Sequence, residues 1–165
     1  NLGDSFTGLK ILNNQIKINN KLKKYFEMKY YLPNLQLNLA KKLFSFANTS
    51  IDISDGLITD LDKLINKQKL SYTLILDDIP ISNNLKKLLI LKKLKKLSFI
   101  SKGDDYQILF TANSSKSRII SKISKSLGVK ISKIGKICSN SQKSQVIYKN
   151  KNRIAIKNRG YYHRF

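Results

Sequence analysis

Apolar and polar positions along this 165-residue chain change period at one place, which predicts the centre of the fold. From Ile51 the order Ile-Asp-Ile-Ser alternates, as a half-buried strand does. Asp55-Gly56 interrupts it. Leu57, Ile58, Leu61, Leu64 and Ile65 then recur at the spacing of an amphipathic helix ending near Lys67. Upstream, Leu9, Ile11, Leu12 and Ile16 form the stripe of a first helix, with Asp4 or Ser5 as its cap. A second helix is expected over 19–30, stopping before Pro33. A third is expected over 35–48, with Leu35, Leu39, Leu43, Phe46 and Ala47 inward. Downstream the pattern predicts strands over 71–76, 106–111, 130–134, 144–149 and 153–157. Helices are expected over 83–97 and 114–127, the last closed by Gly128. Helices alternating with strands, without internal repeat or low-complexity linker, predict a single α/β (α+β) domain over 1–165: a mixed β-sheet packed with helices.

Composition narrows the compartment more than the partner. No apolar run reaches the length of a membrane span, and no signal peptide is read at the start. Helix 83–97, Leu-rich on one side and lysine-rich on the other, is read as a packed surface helix, with a membrane-surface helix as the alternative. Cys138 is the sole cysteine, which excludes a disulfide framework and fits a reducing, cytoplasmic setting; it reads as a semi-buried thiol. The net charge of +22 suggests a basic module for nucleic acid or another anion. Against that, only four of the 32 basic residues are arginine, and lysine and asparagine fill solvated positions throughout. Eight of the ten acidic residues fall in three groups: Asp52, Asp55, Asp60 and Asp62; Asp77 and Asp78; Asp104 and Asp105. Carboxylates retained in so basic a chain are expected to be held by something.

A strand-turn-helix junction collects polar groups beside backbone N–H groups freed at the helix start. Asp55 is placed to cap that helix, and an isolated Asp-Gly would do only that. Asp52, two residues earlier, adds a second carboxylate, and Ser54 a hydroxyl. This set suits a divalent cation that carries phosphates. Asp60 and Asp62 read as solvated helix positions, and Asp105 as a residue that caps or braces its loop.

Four segments in order carry a resemblance: Leu2-Gly3-Asp4-Ser5, Asp52-Ile53-Ser54-Asp55-Gly56-Leu57 with Asp60-Leu61 after two residues, Ser101-Lys102-Gly103-Asp104-Asp105-Tyr106, and Gly160-Tyr161-Tyr162-His163. Together they resemble the C-terminal half of thiamine-monophosphate kinase, of the superfamily that includes aminoimidazole-ribonucleotide synthetase and selenophosphate synthetase. The sequence departs from the family's usual forms at Lys102, where the first glycine of a Gly-Gly pair is usual, at Asp104, where glutamate is usual, and at Arg164, inserted before Phe165. The resemblance implies phosphorylation of thiamine phosphate to thiamine diphosphate by in-line transfer from ATP, with Mg²⁺. It implies Asp52 and Asp55 as metal ligands, Ser54 on ATP, and Asp104 and Tyr161 on the substrate. Without it, Tyr161 and Tyr162 read equally as core aromatics and His163 as a hydrogen-bonded structural residue. It also implies a homodimer formed through an N-terminal Mg-ATP domain that is absent from this chain. The chain, beginning at Asn1 without an initiator methionine, is read as part of a longer protein and is expected to be inactive alone. A non-catalytic or differently specific superfamily member is the alternative nearest to this reading.

Overall fold

The computed structural model describes residues 1–65, 68–139 and 143–156. Tyr161, Tyr162, His163, Arg164 and Phe165 lie outside them, as does the expected helix end near Lys67. Chain order runs α1 (Asp4–Leu12), α2 (Asn20–Tyr31), α3 (Leu37–Ala40), β1 (Ala47–Asp52), α4 (Leu57–Leu64), β2 (Leu70–Ile75) and α5 (Asn83–Leu91). It continues with α6 (Lys96–Ile100), β3 (Ile108–Ala112), α7 (Ser117–Leu127), β4 (Gly135–Ser139), β5 (Gln145–Ile147) and β6 (Arg153–Ile154). Strands β1 and β3 form an antiparallel pair, and a second sheet has the order β4-β2-β5-β6. In it β2 and β5 run parallel while the other pairs are antiparallel, so the expected mixed α/β class holds.

Local chemistry sets several helix ends. The Asn19 side chain accepts from the Leu22 N–H to start α2, and Ser82 does the same for Leu85 at the start of α5. Helix α7 stops at Gly128, whose φ of 62° is the left-handed cap conformation.

Helix α4 fills the main core. Leu57, Ile58 and Leu61 are buried with Ile53 just past β1, Tyr72 and Leu74 of β2, Ile100 of α6 and Val146 of β5. A second cluster joins α1, α2, α5 and α6 through Ile11, Phe26, Leu85, Leu88 and Phe99. Burying such side chains contributes roughly 1.5–3 kcal/mol each, so these clusters hold the junctions around α4 in place.

Three expected elements differ. The helix over 35–48 is instead the four-residue α3, a 3₁₀ turn at Leu43–Ser45 and the start of β1. Leu39 and Phe46 are buried as expected, but Leu35 is 54% exposed, so the apolar stripe is only partly inward. Pairing of Ala47 through Asp52 with β3 wins over weak local helix preference. The helix over 83–97 breaks into α5 and α6, with Lys93 between them at a φ of 51°. The strand at 130–134 lies later, at Gly135–Ser139, where the register Leu74↔Gly135 through Leu70↔Ser139 on β2 places it. Among the described residues no helix is long and apolar enough to cross a membrane.

Candidate active site

Strand β1 delivers its last residue, Asp52, to the sheet edge, and the chain continues extended through buried Ile53. There it is laced to the segment preceding β3. Ile53 N–H donates to the Gln107 carbonyl (2.9 Å), Tyr106 N–H to the Ile53 carbonyl (2.9 Å), and Asp104 N–H to the Ser54 carbonyl (3.0 Å). The lacing brings Ser54, Asp55 and Asp104 together. Asp52 lies two residues away and is exposed. Burial pushes the Asp104 carboxyl above its usual range, and the nearby negative charge of Asp55 adds to the rise. A cation bound between them would oppose that effect. Tyr161, the fifth residue implied by the resemblance, lies outside the described residues.

Gly56 turns the chain from strand to helix with φ 111°, a conformation that glycine tolerates and side-chain-bearing residues rarely adopt. Gly56, not Asp55, occupies the cap position of α4, and no side chain of its own caps the helix there. Asp60 instead fixes the turn that leads into the helix, and its expected place in solvent is wrong. It is 0% exposed, and its Oδ2 accepts from the N–H groups of Ser54 (2.9 Å), Asp55 (2.9 Å) and Gly56 (3.2 Å). Its Oδ1 accepts from the Lys63 ammonium (3.0 Å), which also bonds the Asp55 carboxylate. Asp55 holds that ammonium above its ordinary pKa range. A signal for Asp60 was present in the spacing: it stands three residues after Leu57 and four before Leu64, on the apolar face of α4.

The neighbouring Asp105 turns the other way. It is 4% exposed and accepts from the Gly3 N–H (2.6 Å) and the Ser5 N–H (3.3 Å). It thereby braces the Gly103–Gln107 segment against the start of α1, a bracing role expected of it. The cap expected from Asp4 or Ser5 is thus supplied by Asp105, about a hundred residues away in sequence. Asp4 is committed elsewhere, accepting from the Ser82 hydroxyl (2.6 Å) and the Tyr25 hydroxyl (3.0 Å). A cavity of 280 Å³ opens beside these groups, lined by Asp4, Tyr25, Lys29, Asp105 and Gln107.

Burial pushes the Asp105 carboxyl up to about 7, against the opposing effect of its two backbone donors. An unfolded chain releases this proton near pH 4, so raising the pH from about 4 to about 7 favours the unfolded state. The contribution of Asp105 to stability therefore falls across that window and is flat above it. In urea unfolding at about pH 5 and pH 7.5, the wild type is expected to lose more stability than Asp105→Asn. Equal losses in both would show that Asp105 ionises normally.

No family model matches the chain. It is 30% identical over 164 residues to the thiamine-monophosphate kinase of Buchnera aphidicola subsp. Schizaphis graminum, covering 99% of this chain and 50% of that protein. The counterpart from the Acyrthosiphon pisum subspecies is 31% identical over 167 residues, with 98% and 50% covered. The chain thus spans about half the length of the curated relatives it matches. Among solved structures, AaThiL complexed with AMPPCP and TMP superposes with a TM-score of 0.75 at 22% identity, covering 98% of this chain and 48% of that one. Escherichia coli HypE, a hydrogenase maturation protein, superposes with a TM-score of 0.62 at 12% identity, with 95% and 47% covered. The fold is that of the aminoimidazole-ribonucleotide-synthetase-like class. Within that class the chain is similar in sequence to thiamine-monophosphate kinases, of which it spans about half the length.

Proposed function

We propose that this chain is the C-terminal half of a thiamine-monophosphate kinase, which transfers the γ-phosphoryl group of ATP to thiamine phosphate and yields thiamine diphosphate. The observation that carries this reading is the lacing of residues 53–54 onto residues 104–107, which gathers Ser54, Asp55 and Asp104 on one edge. The homologous kinases, and the neighbour complexed with AMPPCP and TMP, support ATP and thiamine phosphate as its ligands.

Phosphoryl transfer asks a protein mainly for positioning and charge neutralisation. Asp52 and Asp55 offer hard carboxylate oxygens of the kind Mg²⁺ takes. Among the described residues no group of three or more His, Cys, Asp or Glu side chains closes into a metal cage. That donor set fits Mg²⁺, which keeps water and phosphate oxygens among its ligands rather than relying on protein alone. When bound, Mg²⁺ supplies neutralisation of phosphate charge. The chain's own residues do the rest. The Ser54 hydroxyl orients the nucleotide, and the Lys63 ammonium keeps a fixed positive charge beside Asp55. Asp104 offers a carboxylate to the cationic thiazolium, and Tyr161 an aromatic face. The working enzyme is a cytoplasmic homodimer, paired through an N-terminal half that carries further Mg-ATP ligands.

In the intact protein, thiamine diphosphate should form from ATP and thiamine phosphate with Mg²⁺ and cease with EDTA. The 165-residue chain alone should give none. Turnover of a different substrate, with thiamine phosphate untouched, would overturn the reading.

A further inference from the structure

We infer that Asp60 is a positioning residue for the cation-bearing edge: its buried carboxylate fixes the backbone of Ser54–Gly56 so that Asp55 and Ser54 are presented to metal and phosphate. The inference rests on the kinase reading above. Three consecutive N–H groups converge on Asp60 Oδ2, a concave arrangement that elsewhere receives a phosphate or other anion. Here an internal carboxylate fills it. Those N–H groups are thus committed to shaping the turn, and the phosphate is left to the side chains and the cation.

The second carboxylate oxygen extends the control to a side chain. Lys63, bonded to Asp60 Oδ1, also bonds Asp55, so Asp60 governs both the main chain and the side-chain partner of residue 55. Asp60 is fully buried, and a buried carboxyl group is tolerated only when hydrogen-bonded this completely. The hydrophobic anchoring of α4 is already provided by Leu57, Ile58, Leu61 and Leu64.

A purely structural cap predicts lost stability with unchanged cation affinity in the folded molecules. A positioning role predicts a change in affinity. The test titrates Mn²⁺ into the intact protein with AMPPCP present, following free Mn²⁺ by electron paramagnetic resonance, alongside thermal unfolding. Asp60→Asn is expected to weaken Mn²⁺ binding about tenfold or more, the range typical of residues that orient metal ligands. Leu88→Ala, in the second core cluster, is the stability control: it should lower Tm and leave the Mn²⁺ affinity unchanged. Should Asp60→Asn fail to fold, Asp60→Glu keeps the charge but displaces the oxygens by a methylene, and several-fold weaker binding is expected. Wild-type Mn²⁺ affinity in a folded Asp60 variant overturns the inference while leaving the kinase reading intact. Absence of nucleotide-dependent Mn²⁺ binding in the wild type overturns the kinase reading itself, and the inference with it.

Discussion

Asp55→Asn in the intact protein is expected to lower kcat by about 10²-fold or more while the fold stays intact. The substitution preserves shape and removes one negative charge from the edge where Ser54, Asp55 and Asp104 meet. Losing a charged ligand at a phosphoryl-transfer site weakens transition-state neutralisation by several kcal/mol, and each ~1.4 kcal/mol is a factor of ten in rate. The stability cost is expected to be small. Asp55 does not cap α4; Gly56 holds that position, and the Asp55 N–H to Asp60 bond survives the change. What is lost is the pairing with Lys63, whose side chain is 48% exposed, and such pairs contribute about 0–1 kcal/mol. Raising Mg²⁺ should restore part of the rate, because mass action offsets weaker occupancy. Near-normal kcat at ordinary Mg²⁺ would leave Asp55 with no role beyond its ion pair.

The parts of this site that sequence made legible are those built from neighbours in the chain. Alternation at Ile51–Ser54, followed by helical spacing from Leu57, announces a strand, a turn and a helix. The structure has β1 through Asp52 and α4 from Leu57. What local pattern does not contain is the meeting of Asp55 with Asp104. That depends on the antiparallel register Asp52↔Ile108, set by long-range pairing. Only the ordered set of motifs pointed to it. The end of the expected helix over 35–48 failed for the same reason, since β3 pairs with the chain from Ala47 onward. Asp60 was misread because a carboxylate on a helix usually faces water, although its spacing from Leu57 and Leu64 put it on the buried face.

The grouping of the acidic residues was the more dependable signal. Asp60 holds three backbone N–H groups, Asp105 holds two, Asp77 accepts from the Lys149 N–H, and Asp78 pairs with the Lys149 ammonium. Each of these carboxylates has a partner that fixes it. In a chain of charge +22, such partners account for their retention better than any general preference for acid.

Gly103→Ala is expected to be the most damaging single-methyl change near the site. A Cβ at Gly103 would lie 1.7 Å from the Ser54 carbonyl oxygen and 2.6 Å from its carbon. Both are backbone atoms of the very residue that accepts the Asp104 N–H, so the neighbour cannot rotate away. The two segments must separate, and the hydrogen bond between them goes with the contact. Overpacking and one lost backbone hydrogen bond together come to about 3 kcal/mol. The separation also moves Asp104 away from Asp55, so activity should fall beyond what lost stability explains. The same geometry explains why Lys102 is tolerated where a first glycine is usual: the close approach belongs to Gly103. Gly128→Ala is the comparison. A Cβ there meets nothing within 4 Å, and the change costs only the left-handed conformation at φ 62°, about 1–2 kcal/mol. Urea unfolding of the two variants decides the matter: Gly103→Ala should be clearly the less stable, and a loss no greater than that of Gly128→Ala would mean the two segments are not clasped as described.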